Sequence, residues 1–588
     1  MREKVKVTID GVVGEFEKDT NILEAARSMG IDIPTLCYLK EVNEIGACRM
    51  CIVEVEGMRG FVTSCTTKVS DGMVVRTRTK ELIETRKNTL ELIISNHNRD
   101  CLTCIRNTNC ELQNLSRRLG VKEIRYKGAK TEPIYDDSSL CITRDTSKCI
   151  LCGRCVNICK DVQTVAAITK EGRGFKTKIA VAEGYSIANS TCVGCGQCIV
   201  NCPVGALKEK DYISEVVAAL NDKDKIVIVQ TAPAVRATIG EEFGMSIGTI
   251  ATGKMIAGLR RLGFNKVFDT DFAADLTIME EGSEFIDRIK NGGTLPMITS
   301  CSSGWITFAE KFYPDILNHL STAKSPMEMM GTLIKTYYAE KEGIDPKNIY
   351  SVAIMPCSAK KAEIVRPELK VNDMQMVDTV LTTRELGRLL KLYNIDLNDL
   401  EDDTFDTPMG EATGAGHLFG TTGGVMEAAL RTVTEVMTGE KLENIDFKEL
   451  RDSKGIREAE LDIEGRKIKV AVADGLSNVR KLVEEVANGT SKYDFIEVMT
   501  CPGGCIMGGG QPIRTSFEKS KHDIKKLRAK ALYNIDKNAE YRRSHENKSV
   551  RKLYKDYIGS INGKKAHELL HTKYNKQEYY VREEIEGK

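Results

Sequence analysis

The chain has 588 residues, 41% hydrophobic and 29% charged, a balance that supports several globular domains with sizeable cores. Its 85 lysines and arginines oppose 84 aspartates and glutamates, leaving a formal net charge of +1, which excludes a global field that recruits nucleic acid or an anionic membrane. The opening MREKVKVTIDG alternates like a strand and lacks the apolar run of a signal peptide, and no run of about 18 apolar residues occurs, so the expected location is cytoplasmic, without a membrane span.

Twenty cysteines, mostly spaced C-x-x-C, point to metal ligation, because disulfides are disfavoured in a reducing compartment. Residues 1–80 open with the alternating segments VKVTID and GEFEKD and then TNILEAARSMG, a capped helix expected to begin after Thr20. Cys37, Cys48, Cys51 and Cys65 follow in a loop-rich stretch, a pattern that suits a β-grasp module with a 2Fe-2S cluster, with zinc as the competing reading. This stretch resembles the N-terminal ferredoxin domain of the large iron-sulfur subunit of complex I and of its hydrogenase relatives.

Residues 81–120 carry a helical stretch that delivers His97, followed by Cys101, Cys104 and Cys110. One imidazole with three thiolates would in isolation suggest structural zinc. Beside ferredoxin-like modules the pattern resembles the His-ligated 4Fe-4S site of the same family. Residues 141–210 hold two copies of one motif, CILCGRCVNIC from Cys149 to Cys159 and CVGCGQCIVNCP from Cys192 to Cys202. In bacterial ferredoxin pairs the fourth cysteine crosses over, so Cys149, Cys152, Cys155 and Cys202 are expected to hold one 4Fe-4S cluster, and Cys192, Cys195, Cys198 and Cys159 the other. Cys141 matches no motif and reads as a free thiol.

From residue 211 the composition turns α/β, with KIVIVQTAPAV, KVFDTD, TLPMITSC, NIYSVAIMPC and KIKVAVADG as short buried strands between helical segments. Their C-terminal ends carry motifs, as ligand sites in parallel sheets do. These are TSCSSGW (Thr299 to Trp305), MPCSAKKAE (Met355 to Glu363) and EVMTCPGGCIMGGGQP (Glu497 to Pro512). Cys501 and Cys505 can aim at one metal centre if the turn between them is helical. Gly503, Gly504, Gly508, Gly509 and Gly510 would let backbone approach a bulky anionic cluster.

Together these segments resemble the three signatures of FeFe hydrogenases, and the resemblance covers essentially the whole chain. It implies a multidomain α/β protein: a β-grasp 2Fe-2S ferredoxin domain (1–80), a 4Fe-4S domain with one histidine and three cysteine ligands (81–120), a bacterial 2x4Fe-4S ferredoxin domain (141–210), an α/β catalytic domain with parallel sheets (211–530), and a small-subunit-like segment (531–588). It further implies one 2Fe-2S cluster, three accessory 4Fe-4S clusters, and an H-cluster, a 4Fe-4S cubane joined to a di-iron unit bearing CO, cyanide and azadithiolate. By motif, Cys357, Cys501 and Cys505 are cubane ligands, Lys360 bonds a cyanide, Met355, Met499 and Phe419 form an apolar wall, and Pro233 and Ala234 offer backbone contacts. A proton relay is implied from Arg288 and Glu284 through Ser321 to Glu281 and Cys301. A solvated acidic helix face is the other reading of Glu281 and Glu284.

The first signature departs from the family's TSCCPxW. In ungapped register Cys301 falls on the proton donor, Ser302 on a cubane ligand and Ser303 on the proline, whereas ligand chemistry alone would pull Cys301 onto iron. No G-x-G-x-x-G fingerprint follows a strand, so nicotinamide and flavin binding are expected on partner subunits, with electron bifurcation to ferredoxin an analogy at family level. A ferredoxin-dependent enzyme is the close alternative. A non-catalytic iron-sulfur sensor or assembly factor with a hydrogenase fold is the rival from another class.

Overall fold

The structure, a computed structural model, describes residues 3–182, 184–451, 455–463 and 465–580. Alternation at the start folds as read: strands Lys4–Ile9 and Val12–Glu17 pair antiparallel and bury Val5, Val7 and Ile9 on one side. Asp10 and Gly11 turn the hairpin, both at positive φ (49° and 83°), as a two-residue loop matched to strand twist requires. Three further strands complete a five-stranded sheet, and helix Ile22–Ser28 supplies Ile22, Leu23, Ala25 and Ala26 to its core. The helix cap is Asn21, one residue later than expected, because its side chain reaches the Glu24 N–H at 2.8 Å.

Helix Lys80–Asn96 is capped at its start by Thr79 and ends on His97, which it aims inward. Two short helices, Arg154–Asn157 and Gln197–Asn201, repeat one another, each opened by a left-handed glycine, Gly153 at φ 80° and Gly196 at φ 69°. Ile142, Ile168, Ile199, Val204 and Leu207 pack with the cysteines themselves into one core. A module this small has its ligands as much of its interior.

The catalytic region is built on two four-stranded sheets. In the first, strands Lys266–Asp269, Ile226–Thr231, Ile349–Met355 and Thr379–Thr382 lie in that spatial order and all run parallel. The second, in the order Met297–Ile298, Phe495–Met499, Arg466–Asp474, Ile456–Ile463, departs from the all-parallel expectation: its last strand is an antiparallel edge, a hairpin partner of Arg466–Asp474. Alternating exposed residues along Ile456–Ile463 explain the difference, since a strand with one wet face suits an antiparallel edge. Helix Ile524–Asn538 runs across the 530/531 division, and Val550, Leu553, Leu569 and Leu570 of the C-terminal segment pack on Phe268 and Phe272. Among the described residues, no helix is long and apolar enough to cross a membrane.

Candidate functional site

Cys37, Cys48, Cys51 and Cys65 are buried free thiols, with the Cys51 and Cys65 sulfurs 3.2 Å apart and Cys37 interacting with both Cys48 and Cys65. Four converging sulfurs fit a cluster. Burial pushes the His97 pKa down to about 4, and its Nδ1 has no hydrogen-bond partner, so a neutral imidazole nitrogen stands free, as metal ligation needs. Of its three sequence partners, Cys110 feels the charge of Cys104. Cys149, Cys152, Cys155 and Cys202 line one cavity walled by Ile150, Ile168, Ile179 and Leu207, so the crossover between motif copies is present in the fold. Reciprocally, Cys198 feels Cys192 and Cys159.

The second motif is locked onto the catalytic floor. Cys195 feels Cys501, the Gln197 amide donates to the Met507 carbonyl at 3.0 Å, and the Ser358 hydroxyl donates to the Gly194 carbonyl at 2.7 Å. Arg384 fastens the junction, donating to the Gly509 and Gln511 carbonyls at 2.8 and 2.6 Å and pairing with Glu209 at 2.6 Å. Cys141 is buried beside Gly194 and Ala359, its thiol pushed up to about 12 mainly by burial, and no cysteine motif claims it.

The catalytic motifs sit at the C-terminal ends of three parallel strands, where chain leaves the sheets and side chains converge. Cys501 and Cys505 both feel Cys357, and burial raises all three thiols. The turn between Cys501 and Cys505 is not helical: Gly503 and Gly504 take φ of 93° and 84°, outside the right-handed helical region. Three of the glycines serve close protein contacts. A Cβ at Gly504 would strike the Thr421–Thr422 backbone, at Gly508 the Pro356 carbonyl, and at Gly509 the Cys195 carbonyl, so their bareness lets protein segments close on one another.

Phe419 and Met499 share one apolar cluster, against which Cys301 and Cys505 pack. Met355 packs in the core of the other sheet, while Ala234 joins Ile506 and Leu532 against Cys505. Pro233 precedes Ala234 in the loop that leaves strand Ile226–Thr231. Lys360 donates to the Cys301 carbonyl at 3.1 Å and pairs with Glu363 at 2.7 Å. Glu363 also accepts the hydroxyls of Ser303 and Ser325. Ser302 hydrogen-bonds Thr500.

The residues expected to form a relay lie near one another. Helix Thr270–Asn291 carries Glu281, Glu284 and Arg288, and Arg288 pairs with Glu284 at 2.7 Å. Ser321 donates to Glu284 at 3.3 Å and lies close enough to Glu281 to influence its carboxyl. Glu281 is 1% exposed, which removes the solvated-face reading, and burial, reinforced by the charges of Glu284 and Glu497, pushes its pKa up to about 8. The Cys301 thiol is raised by burial and then by Glu281, which places it at the inner end of the series. The sequence reading gives no role to Glu363, Gln197, Arg384 or Thr500, although Glu363, Gln197 and Thr500 lie inside cysteine-bearing motifs.

Residues 225–509 match the family described as iron only hydrogenase large subunit, C-terminal domain, and residues 522–577 match iron hydrogenase small subunit. Upstream, residues 2–80 match a 2Fe-2S iron-sulfur cluster binding domain, 86–125 the NADH-ubiquinone oxidoreductase-G iron-sulfur binding region, and 148–206 a 4Fe-4S dicluster domain. The chain is 47% identical to the NADP-reducing hydrogenase subunit HndD of Solidesulfovibrio fructosivorans, over 97% of this chain and 99% of that one. It is 44% identical to iron hydrogenase 1 of Clostridium pasteurianum, over 97% and 100%. The solved apo FeFe-hydrogenase HydA1 of Chlamydomonas reinhardtii superposes with a TM-score of 0.56 at 44% identity, covering 62% of this chain and 98% of that one. With buried sulfur sets leading to one catalytic floor, and with relatives of this identity along nearly the whole length, the chain belongs to the iron-only (FeFe) hydrogenase family and is an oxidoreductase of that family.

Proposed function

We propose that this chain interconverts H2 with protons and electrons on an H-cluster held by Cys357, Cys501 and Cys505, with Ser302 at the fourth ligand position. The observation that carries the reading is the convergence of those three thiols with Cys301 and Lys360 at the inner end of the Arg288, Glu284, Ser321, Glu281 series. When bound, the H-cluster supplies the site at which H2 is split or formed and the cubane through which electrons leave. The protein supplies the rest. Lys360, held by Glu363, presents a fixed cation to an anionic ligand, and Phe419 and Met499 keep the pocket apolar. Cys301 moves a proton at its sulfur, and Glu281, held near neutrality, passes it to Ser321 and Glu284.

The four ligand sets described above would hold one 2Fe-2S and three 4Fe-4S clusters, which would supply the path by which electrons leave. The relative named an NADP-reducing hydrogenase subunit is one part of an assembly. For this chain we assign flavin and NAD(P) to partner subunits that meet the N-terminal clusters, with ferredoxin as the second acceptor. The sensor or assembly-factor reading is not favoured, because the full-length matches are hydrogenases. The test is matured chain assayed for hydrogen-dependent dye reduction: steady reduction is expected, and fully loaded clusters without it would overturn the proposal.

A further inference from the structure

The outer carboxylate of the relay, Glu284, has a second neighbour that no motif in the chain announces. Its Oε2 accepts both the backbone N–H and the hydroxyl of Thr322 at 3.0 Å. The same Thr322 hydroxyl lies 2.7 Å from Nδ1 of His571, in the C-terminal segment. On its other side His571 Nε2 lies 3.1 Å from Glu280 Oε2. Glu280 is fully buried and also takes the Tyr554 hydroxyl and the Asn562 N–H. His571 is 7% exposed, and the ring of the exposed His567 packs against it at a tilt, with centroids 4.3 Å apart.

Counting protons gives this arrangement two states. A carboxylate facing Nε2 makes that nitrogen a donor, so Nδ1 is where the His571 charge changes. When His571 is neutral, Nδ1 accepts, and the single Thr322 proton is drawn to it, leaving Glu284 with the Thr322 N–H, Ser321 and Arg288. When His571 carries both protons, Nδ1–H donates to the Thr322 oxygen, and the Thr322 proton turns to Glu284. We infer that Glu280, His571 and Thr322 form a second proton entry that joins the relay at Glu284, with His571 and Thr322 as positioning residues for that carboxylate. In the transfer step Nδ1 gives its proton to the Thr322 oxygen while the Thr322 proton passes to Glu284 Oε2, so an imidazolium and a carboxylate become a neutral imidazole and a carboxylic acid. Rotation of the hydroxyl resets Thr322 and frees Nδ1, where a proton taken from solvent restores the imidazolium.

This inference rests on the proposed role of Glu284, and the test separates the two. Infrared difference spectra on acidification, taken on chain carrying its accessory clusters but no di-iron unit, identify the Glu284 carboxyl band by its loss in Glu284→Gln. Thr322→Val should shift that band, and His571→Gln, which does not touch Glu284, should shift it as well. In matured enzyme His571→Gln should lose about 3- to 10-fold in turnover on the acid limb of the pH profile only, a modest share of general acid-base effects. Glu280→Gln, which leaves His571 in place, should lose on the same limb and decides the matter if His571→Gln does not fold. A band unmoved by His571→Gln, or an equal loss at every pH, would overturn the second entry. Full turnover in Glu284→Gln would instead overturn the relay itself.

Discussion

The Ser302 hydroxyl lies 2.8 Å from the Thr500 hydroxyl and accepts the Thr500 backbone N–H at 3.2 Å. Thr500 immediately precedes Cys501, so Ser302 lies against the segment that carries Cys501, whereas Cys301 feels Glu281 first among its charged neighbours. This arrangement favours the ungapped register over a shift of Cys301 onto iron. Ser302→Cys should therefore load a more robust cubane with activity kept or raised, while Cys301→Ala should abolish turnover and keep the cubane. Loss of the cubane in Cys301→Ala, by iron content and its electron paramagnetic signal, would make Cys301 the ligand.

Glu281→Gln keeps the size of the side chain and removes its titration. Turnover should fall by about 10²- to 10⁴-fold with the cofactor still assembled, the range expected for loss of a positioned proton carrier. Unchanged turnover in a loaded protein would remove Glu281 from the path.

The same residue makes a statement about stability. Glu281 keeps its proton in the folded chain up to about pH 8, whereas an unfolded glutamate loses it near pH ~4.3. Between those values the folded chain binds more protons than the unfolded chain, so this contribution to stability falls as pH rises through the window and levels off above it. In scanning calorimetry the Tm of Glu281→Gln should decline less than that of wild type between about pH 5 and pH 8. Parallel declines would contradict the assignment.

Cys198 belongs to the motif copy packed on the catalytic floor, next to Cys192 and Cys159. If that cluster is the last step of the wire, Cys198→Ala should suppress exchange of electrons with external carriers and leave hydrogen/deuterium exchange largely intact. Equal loss of both in folded protein would count against a wire in series.

What could be read before the structure was whatever chemistry places close together along the chain. Cysteine spacing pointed to iron-sulfur modules, because a cluster demands several thiolates close together, and the alternating segments at the start were legible as strands by an equally local rule. Burial of Glu281 was not legible, since an acidic helix face looks alike whether water or protein covers it. Nor was the purpose of Gly504, Gly508 and Gly509: a missing Cβ does not say whether cluster or backbone fills the space. Thr500, Arg384 and His571 act through partners remote in sequence, and no spacing rule reaches them.

Infrared spectroscopy of the matured chain tests the central claim most directly. A hydrogenase whose Cys357, Cys501 and Cys505 hold an H-cluster should show terminal CO and cyanide bands that shift on exposure to H2 and disappear in Cys505→Ala. A protein with all accessory clusters loaded, yet without those bands after maturation, would contradict the account.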